Sequence, residues 1–135
     1  MISWNKITVA AQLDAIVEQS NTIPCLIFKH STTCSISAMA KARLEKKWDF
    51  DAADIVPYYL DLLNFRPISA AIAERFQVHH ESPQVLLIRN GECMYDASHL
   101  DISVEELHDI CAAWVLETPQ YFTLFSRKLT IENTF

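Results

Sequence analysis

The chain contains a single glycine, Gly91, and it follows Asn90 between two runs of strand-forming residues. That dipeptide constrains the fold more than any other feature. A two-residue hairpin turn needs positive φ at both central positions, which asparagine tolerates and glycine adopts freely. Val85-Leu86-Leu87-Ile88 and Glu92 to Ala97 are therefore predicted to pair as antiparallel strands. Upstream, helical and strand patterns alternate. Val9, Leu13, Ile16 and Val17 recur at helical spacing after Thr8, which suits an N-cap, and predict a helix over 9–20. Cys25-Leu26-Ile27-Phe28 is a continuous apolar run, the mark of a strand covered on both faces. A second helix is predicted from about Cys34 to Trp48, with Ile36, Ala40 and Leu44 as its apolar stripe. Ile55 to Leu63 reads as another buried strand. Pro67 fits the first turn of a third helix whose inner face is Ile68, Ile72 and Phe76. Ser103 and Glu106 form a capping box opening a last helix through Val104, Leu107, Cys111 and Trp114.

The resulting order, α-β-α-β-α-β-β-α, implies an α/β fold with a central mixed β-sheet flanked by helices on both faces. Residues 1–116 read as one domain and 117–135 as a C-terminal extension without a clear period. Of the 135 residues, 50% are apolar and 21% charged, which suits a packed core. The net charge of −6 and scattered basic residues argue against nucleic acid or an anionic membrane as partner. The opening residues, Met1 to Lys6, lack the basic-then-apolar pattern of a signal peptide, and no apolar run reaches membrane-span length. A cytoplasmic location is the expectation.

Four cysteines occur, Cys25, Cys34, Cys93 and Cys111, with no C-x-x-C pair, and in a reducing compartment they read as thiols. Cys25, Cys93 and Cys111 lie in apolar strands or on an inner helix face and read as structural. Cys34 alone follows a polar turn, Ser31-Thr32-Thr33, and opens a helix. Backbone N–H groups and the positive end of the dipole favour a thiolate there, and the thiolate is the nucleophile. Lys29 and His30, just upstream, are expected to add positive potential. Ser82-Pro83 is the second element, because X-Pro bonds are the ones that become cis and a cis-proline would expose the Ser82 backbone to an extended substrate. His30, His80 and His99 lack metal-ligand spacing with Cys34, so no metal site is expected, and His30 and His80 are assigned an orienting or electrostatic role. Tyr58, Tyr59 and Trp114 read as core or sheet-face residues.

A thiol at a strand-to-helix turn, then a cis-proline, a hairpin and a closing helix together resemble the thioredoxin fold. More narrowly, Phe28 to Ser37, Ser69 to Ala73, His80 to Gln84 and Ala97-Ser98-His99 resemble motifs of the monothiol bacilliredoxins, the YtxJ-like general stress proteins, over about residues 4 to 115. One departure stands out: Ser35 follows Cys34 where that family usually has proline. Ser37 occupies the position of a dithiol enzyme's resolving cysteine, so exchange must run through one sulfur.

The resemblance implies that Cys34 removes a low-molecular-weight thiol, bacillithiol, from S-thiolated client proteins. Thr33 and Ser37 would donate to the sulfur, and His80, Ser82 and Pro83 would guide the client backbone. It implies no bound cofactor, only a small thiol as co-substrate, and leaves a homodimer open. The alternatives are a non-catalytic module that stores a small thiol, senses oxidants or carries an iron–sulfur cluster, or a stress protein with an inert Cys34.

Overall fold

In the computed structural model, which describes residues 2–117, five strands and four helices alternate: β1 (Asn5–Lys6), α1 (Gln12–Gln19), β2 (Cys25–His30), α2 (Ser35–Lys47), β3 (Val56–Asp61), α3 (Arg66–Phe76), β4 (Gln84–Arg89), β5 (Glu92–Ser98) and α4 (Val104–Glu117). A single 3-10 turn, His99–Asp101, follows β5. The strands form one mixed sheet in the order β1-β3-β2-β4-β5. β2 is central and every one of its six residues is buried, which is what its unbroken apolar start demanded. It runs parallel to β3 and antiparallel to β4.

Alternation along β2 separates two faces. On one, Cys25 and Ile27 pack with Leu13 and Ile16 of α1, Ile68, Ile72 and Phe76 of α3, and Leu86 and Ile88 of β4. On the other, Phe28 stacks on Trp4 with ring centroids 5.6 Å apart, and Trp4 Nε1 donates to Glu45 of α2 at 3.0 Å. The predicted α/β architecture, a mixed sheet with helices on both faces, is therefore present. The hairpin also forms as predicted, with positive φ at Asn90 (53°) and Gly91 (77°). Its tip is clamped to the end of α1: Asn90 N–H donates to Ser20 O and Gly91 N–H to Ser20 Oγ, both at 2.9 Å.

Several local expectations are corrected. Thr8 does not cap α1, which begins three residues later than predicted and whose N-cap is Ala11. Instead Gln12 reaches back, its Oε1 accepting the N–H groups of Thr8 (2.6 Å) and Val9 (3.0 Å), so one amide oxygen satisfies two donors. The buried stripe of α2 is Ser37, Ala40 and Leu44, not Ile36, which is 43% exposed. Counting back from Leu44, position 37 is two full turns away and falls on the same face, while position 36 is rotated off it. β3 is buried throughout only at Leu60, because its outer neighbour is the two-residue β1.

The chain divides into two units between Ile102 and Ser103. In the second, Ser103 Oγ accepts the Glu106 N–H at 3.1 Å, one half of the predicted capping box. Residues 118–135, nearly all of the predicted extension, lie outside the described residues.

Candidate active site

The turn after β2 positions Cys34. The Cys34 N–H closes a short turn onto Ser31 O at 3.2 Å, and its own carbonyl accepts the first helical bond from Ala38 N–H at 3.0 Å. Cys34 is thus the N-cap of α2, with extended backbone (φ −101°, ψ 122°), and it is half-buried. Among the described residues no side chain caps the helix, no acidic residue sits in its first turn, and Lys46 and Lys47 occupy its last. The amides and the dipole at this end are left for an anion. Two of the other thiols differ in ionisation. Burial pushes Cys25 up to about 12, and burial above all pushes Cys93, whose Sγ donates to Tyr95 O at 3.3 Å, up to about 11. Exposed Ile36 and Met39 lie within the next five residues of α2, an apolar rim close to the thiol in sequence.

Beneath this turn is a polar contact that sequence did not foresee. Ser37 is fully buried; its Oγ accepts the Ser31 N–H at 3.0 Å and lies 2.6 Å from His30 Nδ1. His30 itself is buried, its ring 5.7 Å from Phe28 and 5.6 Å from Tyr59. Burial first, then the Lys41 charge, lower its pKa, so neutral imidazole is favoured and can accept the Ser37 hydroxyl proton at Nδ1. The expectation that His30 adds positive charge at the thiol is corrected accordingly. So is the expectation that Ser37 and Thr33 donate to the sulfur. Ser37 is engaged by His30 and Ser31, exposed Thr33 has its Oγ1 3.5 Å from Ser31 Oγ, and among the described residues neither bonds Cys34.

Lys29 projects to the opposite face of β2 from His30, by strand alternation, and so away from α2. It is 0% exposed, its Nζ donating to Ser69 O (3.2 Å) and lying 3.3 Å from His80 Nδ1. Desolvation lowers its pKa to about 8, leaving it charged at neutral pH. His80 is lowered by burial and secondarily by Lys29, so its Nδ1 is the natural acceptor of the ammonium. Lys29 and His80, named separately from sequence, are thus one unit, whereas Lys29 and Cys34 are not brought together.

The Ser82-Pro83 bond is cis. Because Lys29 pairs with Gln84 across β2 and β4, Pro83 lies at the end of the sheet where β2 hands over to the Cys34 turn. Ser82 Oγ is buried without a partner among the described residues, and Pro83 O accepts the His99 N–H at 3.0 Å. His99 also pairs with Glu81 at 3.5 Å, as His79 does at 4.0 Å, both at exposed positions. Among the described residues no three His, Cys, Asp or Glu side chains gather as a metal would require. A cleft of about 520 Å³ opens one strand away, lined by Trp4, Lys6, Lys41, Tyr59, Asp61 and Phe65 but not by Cys34. Tyr59 therefore serves both sheet and cleft, while Tyr58 packs on the core.

A thiol at the N-cap of the helix after the central strand, with a cis-proline loop at the same end of a mixed sheet, defines a thiol redox protein of the thioredoxin fold. A solved structure described as having a thioredoxin fold is 33% identical, with a TM-score of 0.66 over 77% of this chain and 89% of its own. The thioredoxins of Malassezia sympodialis (17% identity, TM-score 0.65, 84% of this chain and 91% of that one) and Trypanosoma brucei brucei (13%, 0.62, 86% and 93%) share the fold. The family model described as monothiol bacilliredoxin BrxC matches residues 5–107, and the chain belongs to that family.

Proposed function

We propose that this protein is a monothiol thiol–disulfide exchange catalyst that strips a bacillithiol-type small thiol from client cysteines. The Cys34 thiolate attacks the small-thiol sulfur of a client mixed disulfide. A Cys34–small-thiol disulfide forms, the client disulfide breaks, and the client cysteine leaves as thiolate. A second small-thiol thiolate then attacks that adduct, releasing the symmetric small-thiol disulfide and restoring Cys34. With Ser37 three residues on, no internal disulfide competes at this position. The observation that carries this reading is Cys34 at the N-cap of α2, with no side-chain cap among the described residues, half-buried at the same end of the sheet as the cis-proline loop. Family membership supports the redox class. Ser82 and Pro83 are assigned to guiding an extended client backbone, Thr33 to shaping the turn, and the cytoplasm, where small thiols are abundant, is the proposed location.

Intact-protein mass spectrometry after incubation with oxidised bacillithiol, or with oxidised glutathione, tests this. The expected result is one small-thiol adduct, lost in Cys34→Ser, that disappears when reduced small thiol is added. Adducts spread over all four cysteines, or none, would overturn the assignment. A visible chromophore after anaerobic purification would instead favour cluster carriage.

A further inference from the structure

Lysine is among the residues least often fully buried, and Lys29 is 0% exposed in the central strand of the sheet. Such a charge needs acceptors, and the two it has among the described residues are informative. One is the Ser69 carbonyl of α3, a fixed point of the core side; the other is Nδ1 of His80, two residues before the cis Ser82-Pro83 bond. Ser69 Oγ also lies 3.3 Å from that nitrogen. Directly opposite Lys29 in the β2–β4 register stands Gln84, 1% exposed, whose Nε2 donates to the His79 carbonyl at 3.0 Å. Two opposed buried polar side chains thus grip two consecutive residues, His79 by its backbone and His80 by its ring. His99 N–H holds the far end of the same loop through Pro83 O.

We propose that Lys29 is a positioning residue that, through His80, sets the place of the His80–Pro83 loop against which the client polypeptide docks. This rests on the exchange reading given above. Lys29 acts on the loop and not on the sulfur, so its removal impairs capture of a protein client more than the chemistry at Cys34. The charge also bears on His80: partial burial first, and then the ammonium beside Nδ1, favour the neutral ring, and protonation of that ring would place two cations 3.3 Å apart. Glu81, His79 and Arg66 are the other charged groups that influence His80.

The test compares full-length wild type, Lys29→Met and Lys29→Gln, the last keeping a donor. The substrate is a single-cysteine test protein carrying a glutathione or bacillithiol adduct. Lys29→Met is expected to raise KM about fivefold to tenfold, the loss of a charged hydrogen bond, with kcat changed less than twofold. Lys29→Gln should recover part of this. Added to His80→Ala, Lys29→Met should raise KM no further. Independently of turnover, the NMR titration of His80 should shift upward in Lys29→Met as the neighbouring charge is removed. An unmoved His80 titration, an unchanged KM, or additive effects in the double variant would each overturn the proposal while leaving the exchange reading intact. Failure of the wild type to exchange at all would remove the exchange reading, and the proposal with it, even if the His80 titration moved.

Discussion

The two ends of β2 carry the same functional group in opposite circumstances. Cys25 begins the strand, is fully enclosed by α1, α3 and β4 side chains, and has its ionisation pushed up to about 12 by burial. Cys34 lies four residues beyond the strand's other end, half-buried at a helix N-cap where the helix amides have no side-chain cap. One end is closed by apolar packing; the other is built from hydrogen bonds among Ser31, Ser37 and His30. The contrast between these two thiols is therefore one of place along one strand.

The largest expected effect is in alkylation. Moving a thiol from 9.0 to about 12 lowers its thiolate fraction near pH 8 about a thousandfold. Peptide mapping of the native protein after brief iodoacetamide treatment at pH 8 should find Cys34 labelled more than about a hundredfold faster than Cys25. Equal labelling would break the comparison. Next comes Ser37→Ala, which strands the buried Ser31 N–H and His30 Nδ1 and should cost about 1–3 kcal/mol in urea melts. Cys25→Ala at the packed end should cost only about 1 kcal/mol, as a small cavity. A reversed ranking would show that packing, not polar contact, holds the site end.

The smallest effect is a matter of sign. The His30 pKa is lowered on folding, so below about 6.5 the unfolded chain binds more protons and stability falls as pH drops. Cys25 is raised from 9.0 to about 12, so in that window the native state holds the extra proton and stability falls as pH rises. Each limb is worth at most about 1.4 kcal/mol per pH unit per group. Lys29, lowered from 10.5 to about 8, opposes the alkaline loss between those values, so the informative quantity is the difference between wild type and Cys25→Ala. The wild type's advantage over Cys25→Ala should shrink and then reverse above pH 9 and stay constant near pH 6; an advantage that grows above pH 9 would overturn the assignment of the alkaline limb to Cys25.

Much of this was legible from the residues. Continuous apolar runs found β2 and β4, and Asn90-Gly91 found the hairpin, because period and turn chemistry are local properties. Cys34 was legible for the same reason: a hydroxyl-rich turn between an apolar run and a helical pattern. β1 was not, since Asn5-Lys6 is two polar residues whose strand character comes only from pairing with Tyr58 and Tyr59. Nor was the burial of Ser37, a hydroxyl taking a core position because Ser31 N–H and His30 need a partner there. The Lys29–His80 contact spans 51 residues and joins a strand to a loop, so no spacing rule could anticipate it.

The clamped hairpin tip has a further meaning. A Cβ at Gly91 would meet Val17 Cγ1 at 3.3 Å, and Ser20 holds the tip's N–H groups from α1. That anchorage fixes where β4 starts counting. Were the strand to slide by one residue, each of its side chains would swap faces, and Gln84 would turn away from Lys29 at the far end, about 20 Å off. The chain's lone glycine thus works as the zero mark of a ruler whose last graduation is the proline loop.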